Sequence, residues 1–309
     1  MIIDTYCHVI VAEMTAAHGA GCGGPMPRHP DRLIERLSQP AAAALISASG
    51  TAVVATGSVE QHGGHLPLGT DAFAAASIAE RVAARLGTVV ASLGPAGVAP
   101  YHLPWPGTLS LRPATLAAVM VDVCGGLHGA GAHRIVVVNW HEGNSPTLRL
   151  AADEAQRRHG VQLAIAESHV ITHTLFPEEM EFTHAGSMET AAVLAYDASL
   201  VHLEDATGPS ERRAAEAAHG LFRRPDVYPV LRDFRQIAAT GWYGRPERAT
   251  PDRAEQIAEA VADHVVARAR EIWEAIGTDA GGAAEGSGPS GDRGFPPAGT
   301  AFPRAGGPE

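Results

Sequence analysis

Three short stretches carry side chains able to do chemistry together. GSVEQHGGHLPLGTD, Gly57 to Asp71, holds Glu60, His62, His65 and Asp71 among four glycines and a proline. NWHEGN holds Asn139, His141, Glu142 and Asn144, and HAGSMETA holds His184 and Glu189. Apart from the two asparagines, every one of these types is a good metal ligand. Glu60 and His62 stand two apart, so in extended chain their side chains point to the same side. Asp71 follows a Gly- and Pro-rich turn that lets the backbone fold back and return a carboxylate to the same point. Imidazole and several carboxylates together favour Zn, Mn or Fe over copper or a thiolate site. One aspartate bridging two ions would make a binuclear centre, the clamp used in many hydrolases.

A histidine in a loop is, taken singly, ordinarily an exposed or hydrogen-bonding residue. His128, His159, His202, His219 and His264 receive that reading. His65 reads as a residue orienting a ligand. Glu142 has two open readings, a helix-capping or solvent-facing carboxylate and a member of the site. Trp105 and Trp140 read as packing residues. For Glu60, His62, Asp71, His141 and Glu189 together, chance placement at strand ends is a poor explanation.

The elements that must position these residues follow from hydrophobic pattern. TAVVAT, TVVASL, HRIVVVN and VQLAIAE are short apolar, β-branched runs without alternation, the pattern of parallel strands covered on both faces. Between them lie helical periodicities: DAFAAASIAERVAARLG, PATLAAVMVDVCGGLHGAG with proline at its first position, and a helix through Arg158 begun by Ser145 and Pro146. HAGSMETAAVLAYD opens another helix, and a final one runs from Thr250-Pro251 to Gly277. Upstream, DRLIERLSQPAAAALISAS reads as two short helices broken at Pro40. Strands alternating with helices predict an α/β fold, a single three-layer domain with a mostly parallel central sheet flanked by helices. In such sheets ligands bind beyond the carboxyl ends of the strands, where the stretches above lie. The domain is expected over 31–277, after a poorly defined arm at 1–30 and before a Gly/Pro/Ala-rich tail at 278–309 whose composition predicts disorder.

Bulk properties narrow the partners. The chain has 309 residues and a formal charge of −11, which argues against nucleic acid or an anionic membrane. Aromatics are only 5%, too few for base-stacking platforms. Cys7, Cys22 and Cys124 have no metal-knuckle or disulfide spacing, and Cys124 reads as a buried structural thiol. Neither a signal peptide nor a membrane-spanning run is expected, which points to the cytoplasm.

In order, GSVEQHGGHLPLGTD, WPGTLSLRPATL, VVVNWHEGN and HAGSMETA resemble the signature segments of the creatininase (creatinine amidohydrolase) family. GWYGRPERATPDRAEQIAEAV is similar to its C-terminal segment. The resemblance spans roughly Ala52 to Ile276. It implies a helix-flanked sheet, two divalent ions per subunit, hydrolysis of amide-type C–N bonds and a homo-oligomer, a hexamer in many members. It also implies that Glu60, Asp71 and His141 hold one ion and that His62, the bridging Asp71 and Glu189 hold the other. His184 would be the catalytic histidine. Two departures touch the substrate. Creatininase has a ligand glutamate where this chain has Gly143, and it has tryptophans in the segment matching Ala166 to His184, where none stands here. The expected activity is therefore a metal-dependent amidohydrolase acting on a cyclic amide, formamide or peptide. The alternatives are a lactone or C–C hydrolase, a mycofactocin-type precursor peptidase and a catalytically silent binding subunit.

Overall fold

The computed structural model describes residues 32–207, 212–224 and 226–276. The expected N-terminal arm and C-terminal tail lie outside the described residues. Four strands form one parallel sheet: β1 (Thr51–Thr56), β2 (Val90–Ser92), β3 (Arg134–Asn139) and β4 (Gln162–Glu167), in the order β2-β1-β3-β4. The helices are α1 (Gln39–Ser49), α2 (Thr70–Leu86), α3 (Pro113–Gly129), α4 (Ser145–His159), α5 (Ser168–Leu175), α6 (Ser187–Asp197), α7 (Arg212–Phe222) and α8 (Pro251–Ile276).

Alternate strand residues feed two separate cores, because successive side chains in a strand point to opposite faces. Val53, Ala55, Val136 and Val138 pack with α2, α6 and α8. Ala52, Val54, Ile135 and Val137 pack with α1, α3 and α4. All eight are at most 5% exposed, so both faces of the sheet are covered. That double burial is why the strands read as continuous apolar runs. Burying one such valine contributes about 1.5–3 kcal/mol over leaving it in water. Cys124 lies fully buried in the second core, and burial pushes its thiol pKa up to about 12, in keeping with a structural role.

Three local readings are refined. Pro40 does not break a helix; it sits in the first turn of α1, where its missing N–H costs nothing, and only a 3-10 turn at Ile34–Arg36 precedes it. Ser145 is the first residue of α4, and Asn144 holds the capping position. The apolar patterns of α5 and α7 are too short to stand out in the sequence.

The topology creates the crevice. β1 runs on into α2 on one face, whereas β3 runs on into α4 on the other. Adjacent parallel strands whose connections depart to opposite faces leave a gap beyond their carboxyl ends. Among the described residues, no helix is long and apolar enough to cross a membrane.

Candidate metal centre

The turn after β1 is fixed by close backbone contact. A Cβ on Gly57 would stand 2.4 Å from the backbone of Asp71, so only glycine lets the start of α2 fold back against the strand end. Asp71 thereby becomes the second residue of α2, where the helix dipole favours a carboxylate. Glu189 is likewise in the first turn of α6. Asn144 braces the crevice from below: its Nδ2 donates to Gly57 O at 2.9 Å, and its Oδ1 accepts from Val98 N at 2.9 Å.

The five expected ligands converge. Their donor atoms form two groups sharing Asp71, one of Glu60, Asp71 and His141 and the other of His62, Asp71 and Glu189, with the atoms of each group within 4.8 Å of one another. His141 Nδ1 lies 3.0 Å from Asp71 Oδ2 and 3.3 Å from Glu60 Oε2. His62 Nε2 lies 3.4 Å from Asp71 Oδ1 and 3.7 Å from Glu189 Oε2. All five residues are at most 8% exposed.

Backbone carbonyls set the tautomers. His62 Nδ1 is 3.0 Å from Glu60 O, and His141 Nε2 is 3.1 Å from Val98 O. A carbonyl only accepts, so these nitrogens carry the protons, and His62 Nε2 and His141 Nδ1 turn their lone pairs inward. Glu60 Oε2, His62 Nε2 and Asp71 Oδ2 are buried without a hydrogen-bond partner among the described residues. Three converging orphans would be costly if left unfilled, and they are what a divalent cation satisfies. The donor set fits such an ion.

The ligand groups depart from their ordinary protonation in the cation-free protein. Burial raises Glu60 and Glu189 to about 7, opposed chiefly by His141 and His62 respectively. Burial works against charge on His62 and His141 too, but neighbouring carboxylates overcome it and lift them to about 10 and about 9. Asp71 goes the other way. Burial would raise it, yet His62 and His141 hold it well below the carboxylate range.

Behind the ligands lies a stacked histidine wall. The His184 ring is 4.5 Å from that of His62 and 4.7 Å from that of His102. Burial keeps His184 neutral at pH 7 and depresses His102 to about 2. His184 Nε2 is 2.9 Å from Gln61 O, which assigns its proton to that nitrogen. Gln61 Nε2 lies 2.6 Å from Gly241 O and 2.9 Å from His102 Nδ1. His102 Nε2 is 3.4 Å from Glu60 Oε1.

His102 and Gln61 escaped the sequence reading. His102 follows β2 and so meets the same strand-end criterion, but a ten-residue gap and the apolar PYHLPWP context hide it. His65 supports the site at one remove. Its Nε2 donates to Ala185 O at 2.8 Å, while Ala185 N donates to Glu189 Oε2. Ala185 has φ 54°, a left-handed strain held from both sides between His184 and Gly186. Glu142 points elsewhere and pairs with Arg223. Trp140 packs in the first core and Trp105 against a smaller one, as expected.

The comparisons with known proteins can now be set beside this geometry. The family described as Creatininase, creatinine amidohydrolase, matches residues 35–269. The chain belongs to the creatininase family. It is 29% identical over 248 residues to the mycofactocin precursor peptide peptidase of Mycobacterium tuberculosis, covering 76% of this chain and 91% of that protein. Creatinine amidohydrolase of Pseudomonas putida is 27% identical over 235 residues, 70% of this chain and 86% of that one. A solved creatininase variant of Zn-Zn type has a TM-score of 0.63 at 25% identity, covering 79% of this chain and 98% of that one. A manganese creatininase gives 0.62 at 25%, with 79% and 99% covered. The chain is therefore a creatininase-family hydrolase whose candidate site suits a divalent metal.

Proposed function

We infer that the protein hydrolyses an amide-type C–N bond with two divalent ions, Zn, Mn or Fe. Glu60, Asp71 and His141 would hold one and His62, Asp71 and Glu189 the other. The observation that carries this reading is the pair of buried ligand triads sharing one aspartate, with orphaned donor atoms facing each other. When bound, the ions supply a water deprotonated near neutral pH and polarise the substrate carbonyl.

The chain's own groups do the rest. Asp71 fixes the distance between the two halves of the site. His62 and His141, pinned through their far nitrogens, hold their donors in one orientation. Hydrolysis adds oxygen to the carbonyl carbon and a proton to the leaving nitrogen. His184 is neutral and stacked on His62, so it can take up a proton at Nδ1 and pass it to that nitrogen. Burial of the whole set excludes bulk water, which strengthens each of these electrostatic contributions. The substrate is a small molecule or peptide bearing such a bond.

Elemental analysis of the purified protein tests the reading. About two divalent ions per chain are expected. Glu189→Gln should retain about one, and Asp71→Asn should retain neither, because only Asp71 serves both groups. A protein that holds no metal and takes up neither zinc nor manganese overturns it.

A further inference from the structure

We propose that the Glu142–Arg223 ion pair is a clasp holding α7 as a roof across the metal centre, so that these two residues govern which substrates reach it. The proposal rests on the metal-centre reading above. One end of the roof stands over the histidine wall. His219 of α7 meets the Phe234 ring edge-on at 5.8 Å, and that ring lies 4.7 Å from His184 and 4.6 Å from His102. His219 Nδ1 also bonds the Tyr243 hydroxyl, and Tyr243 N donates to His184 O at 3.0 Å.

The other end stands beside His141. Arg223, just past α7, donates to Glu142 Oε2 from Nε at 3.1 Å and from Nη2 at 2.9 Å. Its Nη1 donates to Phe182 O at 3.0 Å, and the guanidinium lies 3.8 Å over the Phe182 ring. Glu142 follows His141 directly in the chain, so the clasp closes at the edge of the site.

Two features make this contact decisive. The apolar cluster under α7 has only Ala215, Phe234, Ile237, Ala238 and Tyr243 as buried members, a small patch beside the two main cores. A helix seated on so little apolar surface depends on its polar ties. Glu142 is also free for the task because it cannot serve as a ligand from the next position. A Cβ at Gly143 would stand 2.4 Å from Val98 O and 2.5 Å from His141 Nε2. The side chains of the pair are 24% and 46% exposed, so solvent screens it and it can open and reclose. Compact substrates would enter beneath a briefly opened roof, while bulky ones would need the clasp broken.

The test uses the full-length, zinc-loaded protein and follows zinc removal by EDTA. Glu142→Gln should leave zinc content and melting temperature unchanged but strip about tenfold faster, the order set by losing one bidentate charged contact. The double variant Glu142→Arg/Arg223→Glu should restore the slow rate. A single variant that strips at the parent rate, or a double variant as fast as the single, overturns the clasp. If the chain takes up no zinc, the metal-centre reading fails instead. Hydrogen exchange of the amides at 215–224 then decides: faster exchange in Glu142→Gln, slow again in the charge swap, supports the clasp, and unchanged exchange refutes it.

Discussion

Loading the centre with metal should expel protons, and the number follows from the buried groups. A ligand must be deprotonated to bind. At pH 7 the cation-free protein keeps a proton on His62, at about 10, and on His141, at about 9. Glu60 and Glu189, each near 7, are half protonated, and Asp71 carries none. With one proton from each histidine and half from each glutamate, uptake of two ions releases about three protons. The combined affinity should therefore climb about a thousandfold per pH unit around neutrality. Deprotonating His62 and His141 at pH 7 costs about 4 and about 3 kcal/mol, at 1.36 kcal/mol per unit, and metal binding must overcome both.

Calorimetric zinc titration of chelator-treated protein, in buffers of differing ionisation enthalpy, reads the proton count directly. Asp71→Asn is the internal control, since removing that charge lets both histidines fall and should abolish most of the release. Release of fewer than one proton, or an affinity flat between pH 6 and 8, would refute the reasoning. Stability carries the same sign. Raised histidines stabilise the fold below their unfolded pKa of 6.5 and lose that contribution as pH climbs through 9–10. The raised glutamates add a penalty growing from 4.5 to about 7. Metal-free protein should melt at steadily lower temperature from mild acid to alkaline pH, and the metal-loaded form should flatten that slope.

Two further predictions follow. His184→Ala should cut kcat by about 10²–10⁴ while leaving metal content intact, because the proton carrier is lost and the ligands are not; elemental analysis beside steady-state kinetics separates the two. Gly57→Ala should lower the melting temperature sharply and deplete metal, since its Cβ would sit 2.4 Å from the Asp71 backbone and push α2 off the strand end; a variant that melts and binds metal like the parent rejects that account.

Much of this arrangement was legible because it depends on local chain chemistry. IVVV and TAVVAT read as doubly covered strands because their side chains have nowhere polar to face, and the two cores show both faces buried. Glu60, His62, Asp71 and His141 follow β1 and β3 within a few residues, so the rule that sites lie beyond parallel strand ends located them. What stayed hidden depends on partners distant in the chain. Glu142 could be assigned neither to the site nor to solvent, because its partner Arg223 is 81 positions away. Gln61, set between Glu60 and His62, looked like a spacer, yet it connects His102, His184 and Gly241.

The sequence by itself determined the fold class, the ligand types and the turn that returns Asp71, because periodicity, donor chemistry and glycine's small size act locally. Only the tertiary structure decided which donors face one another, which histidine nitrogens are free, and where Glu142 points. Those outcomes depend on helices departing to opposite faces of the sheet and on backbone carbonyls from remote loops, Val98 and Ala185 among them. No local rule specifies where such carbonyls arrive.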